Sequence, residues 1–285
     1  VAAGTPVQVA SVTKAFTGLL LADATLRGEL SLDTTVDELL LGKPATERSI
    51  TVRSLAAHTS GLPRLSLFAR RLLPDPYRGY TRARLLRYLE RTQPELAATQ
   101  AYRYSNLGFA VLGAMLEKAC GKTYADLLQE RVLSPLGLVH TQLALTGEKV
   151  RVKRGYARFM HTPIWLWPRP PVWYHDAYAP AGAIVSTAEE LVRFVQRLLD
   201  GNGPVANAFR FSCEPQAAIP RGSIGLAWHL PGSRRFVWHN GSTFGHSAYV
   251  AIAPERGVAV IAVSNQAVAT HLTQLGHGLM KQALA

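Results

Sequence analysis

The most constraining feature of this chain is a helix-patterned stretch, Val12–Leu26, that is apolar on more than one side. Ala15, Phe16, Leu19, Leu20, Ala22 and Leu26 cover too much of its circumference for a surface helix, so burial is expected, with Gly28 ending the helix. A helix packed on several sides needs layers around it, and 285 residues can supply them as one large domain or two small ones. A composition of 48% hydrophobic and 18% charged residues excludes a disordered chain. Two cysteines, Cys120 and Cys213, cannot staple so long a chain, and the sequence leaves open whether they pair. No apolar run reaches the roughly 18 residues of a membrane span.

Further helices are expected from about Thr35, from a Thr51 cap through Ala57, and near Thr81–Arg91, Leu107–Cys120 and Thr123–Val132, with Gly121 as a stop. Arg151–Phe159 is strand-like, and His161–Ala181, rich in proline and aromatic residues, is expected to be a long loop. Ser186–Glu190 forms a capping box that opens a helix to Asp200. The last third turns to short β-type runs, Ile224–Leu230, Phe236–His239, Ser247–Ala253 and Val258–Val263, with a hairpin turn at Pro254–Gly257 and a final helix over Ala267–Leu284. This order predicts an α+β fold. An antiparallel sheet would be flanked by the first and last helices and joined to a helical lobe. In one domain, the helical lobe would take roughly residues 35–200 and the sheet lobe residues 1–34 and 201–285.

Charge is uneven. Lys and Arg number 31 against 19 Asp and Glu, a net +12. Eight arginines fall between Arg64 and Arg91, with only Asp75 and Glu90 between them. The stretch suits either a solvated helix face or a surface for an anionic partner such as a membrane or cell-wall polymer. No zinc-finger spacing, RRM signature or basic zipper is present, which argues against nucleic acid.

Three short patterns carry chemistry. Ser11 and Lys14 open the buried helix one turn apart, so their side chains share a face. Ser11 falls where backbone N–H groups are free, and burial would lower the Lys14 pKa and let it act as a base. By chance about 0.4 Ser-x-x-Lys pairs are expected in this composition, and the alternative is a lysine reaching out to solvent. Tyr104 and Asn106 begin another helix, where a phenol can relay a proton and an amide can orient an acyl group, or where a core tyrosine precedes an N-cap asparagine. His239-Asn240-Gly241-Ser242 ends a strand, where the Ser242 N–H could join that of Ser11 in an oxyanion hole and Gly241 would permit close approach.

Together and in this order, the three patterns resemble the serine β-lactamase and penicillin-binding protein superfamily. The Tyr-x-Asn form is similar to the branch of class C β-lactamases, D-Ala-D-Ala carboxypeptidases, D-aminopeptidases and related esterases. Leu55–Leu62 resembles its His-Thr-Ser-Gly-Leu turn, Ala179–Gly182 with Ser186-Thr187 the segment before its late helix, and Gly241–Glu255 its core hairpin. The resemblance implies that Ser11 is acylated, that Lys14 and Tyr104 share acid and base work, and that Asn106 orients the acyl group. It further implies oxyanion-hole amides from Ser11 and Ser242, His239 in place of the third motif's cation, and Asn240 and Gly241 beside the substrate. His58 is structural in this pattern. No cofactor or metal is implied, and the substrate would be a small molecule or short peptide.

Two departures shape the expectation. His239-Asn240-Gly241 replaces Lys-Thr-Gly, and histidine is mostly neutral at pH 7. Esterase or D-amino-acid peptidase activity is therefore expected ahead of β-lactamase activity. The rival is a penicillin-recognising or ligand-binding domain with little turnover. Only ten residues precede Ser11, so the helix and strands that the family places upstream are expected to be missing, which would bare a sheet edge. An extracytoplasmic location follows from the resemblance alone, and the oligomeric state is open. Trp165, Trp167, Trp173, Tyr174 and Tyr178 could wall a pocket, face a membrane or simply pack.

Overall fold

A computed structural model describes residues 1–66, 75–92, 101–156, 171–233 and 235–285. In chain order it contains β1 (Val7–Gln8), a 3-10 turn (Ala10–Val12), α1 (Thr13–Leu26), a π-helical turn (Asp37–Leu41), α2 (Val52–Ala56), α3 (Arg82–Thr92) and α4 (Asn106–Cys120). There follow α5 (Tyr124–Leu128), a π-helical turn (Gln129–Leu133), α6 (Ser134–Leu136), β2 (Gln142–Leu143), α7 (Ala179–Gly182), β3 (Ile184–Ser186), α8 (Ala188–Leu199) and α9 (Gly203–Ser212). The chain ends with β4 (Ala217–Ile219), β5 (Gly222–Ile224), β6 (His229–Pro231), β7 (Val237–Ser242), β8 (Ser247–Ala253), β9 (Val258–Ser264) and α10 (Ala269–Ala283). The fold is α+β. Six antiparallel strands run in the order β4-β5-β6-β7-β8-β9, and a small second sheet has the order β1-β3-β2.

Strand β8 shows why the apolar run Ser247–Ala253 is a strand covered on both faces. Tyr249, Ala251 and Ala253 join Met280 and Leu284 in a cluster under α10, while Ala248, Val250 and Ile252 enter the main core. Alternation puts successive residues on opposite faces, and both faces are dry. Gly276 lets α10 settle onto the sheet, because a Cβ there would lie 2.3 Å from the Tyr249 ring.

Helix α1 is buried from Thr13 through Ala24. Phe16 stacks on Phe194 of α8 at 4.1 Å between ring centres. Gly18 brings α1 against the turn after β5, where a Cβ would lie 2.2 Å from the Leu226 carbonyl oxygen. Burying Phe16, Leu19 and Leu20 contributes about 1.5–3 kcal/mol each. Leu26, expected inside, is 53% exposed, because the helix leaves the core in its last turn.

Several expectations need correction. Ile224–Leu230 is not one strand: β5 ends at Ile224, and Ala227, at φ +75°, turns the chain into β6. Leu226 and Trp228 are fully buried in that turn, which is why it looks like a strand in sequence. Residues 151–155 form no strand, and Tyr156 makes one isolated bridge to Gln266. The proposed long loop contains α7, and its Trp165 and Trp167 lie outside the described residues. Thr187 caps α8 by accepting the Glu190 N–H at 3.1 Å, while Ser186 closes β3. The Glu190 carboxylate instead accepts the His140 N–H at 3.0 Å, so the box is half formed. Cys120 and Cys213 are free.

Candidate active site

The Ser11 turn is built under strain. Ala10 holds φ +49°, which side-chain-bearing residues rarely adopt, and Ser11 follows in the first turn, where amides lack helical acceptors. The turn is tied to β3 by Val9 N–H to the Ile184 carbonyl and by Ile184 N–H to Thr13 Oγ1, both at 3.0 Å.

Lys14 is fully buried and does not reach solvent. Its Nζ donates to the Ala181 carbonyl of α7 at 2.6 Å and to Ser11 Oγ at 3.1 Å. Burial holds its pKa well below the ordinary lysine value, and the Arg64 charge lowers it further.

Tyr104 and Asn106 are placed by the turn after α2. Ser105, not Asn106, caps α4: its Oγ accepts the Gly108 N–H at 2.8 Å and donates to the Pro63 carbonyl at 2.7 Å. The Asn106 side chain is thereby released, and its Nδ2 donates to the Tyr77 hydroxyl at 2.8 Å, leaving Oδ1 buried without a partner among the described residues. His58 is fully buried at φ +58°, and its Nδ1 accepts the Ser105 N–H at 3.1 Å. The Tyr104 ring centre lies 5.0 Å from Lys14 Nζ. Burial pushes the phenol's pKa up, against the opposing pull of its hydrogen bond with Ser11 and of Arg64, so it stays protonated.

Strand β7 crosses the Ser11 turn at contact distance. A Cβ on Gly241 would lie 2.2 Å from the Val9 carbonyl oxygen and 2.7 Å from the Ser11 nitrogen. Pairing with β6 involves only His229 and Trp238, while β8 pairs with β7 through Ser242. Among the described residues, the β6 side of residues 240–242 is thus left unpaired in the sheet next to Ser11. His239 is fully buried, and burial, then His229 and Lys14, hold its pKa well below the ordinary value. Its Nδ1 lies 2.6 Å from the Asn240 carbonyl oxygen, which can only accept, so Nδ1 carries the proton. The Asn240 side chain is not brought to Ser11: it donates to Thr273 of α10 at 2.8 Å, on the opposite face.

Some participants gave no clear signal in sequence. Tyr77 stacks on the buried His175 at 4.7 Å between centres, and His175 sits behind α7 with its pKa lowered by burial, then by Lys14, to about 3. The Ala181 carbonyl fell within a recognisable segment, but nothing local tied it to Lys14. Of the aromatic segment, Trp173 and Tyr178 are buried and packed against Tyr77. Among the described residues, no group of three or more His, Cys, Asp or Glu could hold a metal ion.

Penicillin-binding protein 4 of Amycolatopsis lactamdurans is 28% identical over 291 residues, covering 92% of this chain and 73% of the relative. Unguisins hydrolase ungD' of Aspergillus campestris is 26% identical over 287 residues, covering 90% of this chain but only 51% of the relative, so the chain spans about half of that protein. The fold matches a class C beta lactamase from Rhodobacter sphaeroides with a TM-score of 0.80 at 22% identity, covering 100% of this chain and 87% of that one. A sequence model of the family described as Beta-lactamase matches residues 1–285, and the chain belongs to the beta-lactamase family.

Proposed function

We propose that this chain is a serine hydrolase that acts through an acyl-enzyme on esters or amides. Family membership supports serine hydrolysis in general terms. The observation that carries the reading is the fully buried Lys14, with its lowered pKa, 3.1 Å from Ser11 Oγ. As Ser11 Oγ bonds to the substrate carbonyl carbon, the neutral lysine takes its proton. The oxyanion accepts from the Ser11 and Ser242 N–H groups, a type of contact worth about a hundredfold or more in rate per donor. Collapse breaks the bond to the leaving group, which takes a proton from the Tyr104 phenol, and Lys14 returns one to the phenolate. Water then adds to the acyl-enzyme, loses its proton to the same coupled pair, and Ser11 leaves protonated. The unpartnered Asn106 Oδ1 suits an amide N–H on the acyl group. Neutral His239 favours esters or D-amino-acid peptides over β-lactams that need a cation at that position.

Intact mass after exposure to a small fluorophosphonate tests the reading. One adduct is expected on the parent and none on Ser11→Ala. No adduct on a folded parent would sink it.

A further inference from the structure

Beside these groups stands a cation that the acylation chemistry does not use. Arg64 ends the turn after α2, and its carbonyl accepts the Asn106 N–H at 3.0 Å and the Leu107 N–H at 3.3 Å. Its backbone is therefore tied to the start of α4, on the Tyr104 and Asn106 side of the site. The residue is exposed, and its guanidinium lies 5.2 Å from the Tyr104 ring centre. Among the described residues it forms no ion pair. Neighbouring Arg103 is already directed at the Gly61 carbonyl, at 3.2 Å. Among the described residues, no carboxylate is one of the charges acting on Lys14, His58, Tyr104 or His239. The site thus holds an exposed guanidinium with no ion-pair partner among the described residues on one side, and a buried imidazole where the family pattern has a cation.

We propose that Arg64 is the anion-recognising residue of this site and takes a carboxylate carried on the acyl portion of the substrate. The assignment of that carboxylate to the acyl portion rests on the acyl-enzyme reading above. A guanidinium offers paired donors that match a carboxylate, and its seat on Tyr104 holds it ready. Recognition is moved from β7 to the turn after α2, which selects acyl groups that end in an acid.

Two measurements test this independently of each other. In the Ser11→Ala chain, which cannot be acylated at that position, calorimetry compares glutaranilic acid with valeranilide, which match in length and differ in the terminal charge. The acid is expected to bind about tenfold more tightly, as a charge-assisted contact supplies. The preference should fade with added salt and vanish in Ser11→Ala with Arg64→Gln. In the parent, the ratio of kcat/KM for 4-nitrophenyl hydrogen glutarate over 4-nitrophenyl valerate should exceed one, collapse towards one in Arg64→Gln, and partly recover in Arg64→Lys. Equal binding of the two anilides, or a preference that survives Arg64→Gln, overturns the proposal. An Arg64-dependent binding preference in a parent that hydrolyses neither ester supports Arg64 and sinks the acyl-enzyme reading instead.

Discussion

His58 and His239 are both fully buried, both neutral, and both have an Nε2 with no partner among the described residues, yet they are opposite tautomers. His58 Nδ1 accepts the Ser105 N–H, so its proton sits on Nε2. His239 Nδ1 faces the Asn240 carbonyl, so its Nε2 is bare. One imidazole therefore offers a donor and the other an acceptor, and in each case a single backbone group decides which. The two regions also hold the site differently. The His58 turn works through side chains, with ring, cap and carbonyl clamping Tyr104 to Asn106. Strand β7 works through backbone, with Gly241 pressed on the Ser11 turn.

The largest expected effect comes from breaking the backbone side. Gly241→Ala puts a methyl against two backbone atoms that cannot move aside separately. Displacement of the Ser11 amide by about 1 Å is expected to slow fluorophosphonate labelling about a hundredfold or more. Labelling at the parental rate would mean that β7 does not touch the working turn.

Next comes stability. His58→Ala removes the acceptor for a buried N–H and leaves a cavity, which is expected to cost about 2–4 kcal/mol in denaturant melts. His239→Ala should cost less, because its Nδ1 bonds only the carbonyl of the next residue. His58→Asn should recover much of the loss, since Asn keeps an acceptor near Nδ1 and tolerates positive φ. The reverse order of losses would break the comparison.

The two histidines differ least in their response to pH, because burial lowers both. Burial, then neighbouring positive charges, lower His229 to about 4 and His175 to about 3, and hold His58 and His239 well below the ordinary value. The unfolded chain takes up these protons near pH 6.5, roughly, while the folded chain resists them. Stability should be full above that pH and fall as pH drops towards 4 and below. A thermal midpoint unchanged between pH 7.5 and 4.5 would contradict neutral, buried imidazoles.

Local patterns made much of this legible. Thr51 caps α2, Gly121 stops α4, Gly257 turns β8 into β9, and the Ser11-Lys14 spacing brings those two side chains together. Errors arose where burial mimics periodicity. The turn through Leu226 and Trp228 is apolar because α1 and its neighbours cover it, not because it is a strand. Ser186 and Thr187 are equally good caps by type, and only the pairing of β3 with β1 and β2 takes Ser186 into a strand.

What the chain determined by itself is what acts within a few residues: the apolar first helix, its Ser-x-x-Lys pair, the caps, the hairpin and the choice of histidine at 239. What only the tertiary structure decided joins distant residues. Lys14 Nζ meets the Ala181 carbonyl 167 positions away, and Asn106 meets Tyr77 29 positions away. The tautomers of His58 and His239 and the stacking of Arg64 over Tyr104 likewise belong to the assembled site. Spacing can place a lysine beside a serine, but the proton affinity of that lysine depends on which atoms exclude water from it, and those come from the whole fold.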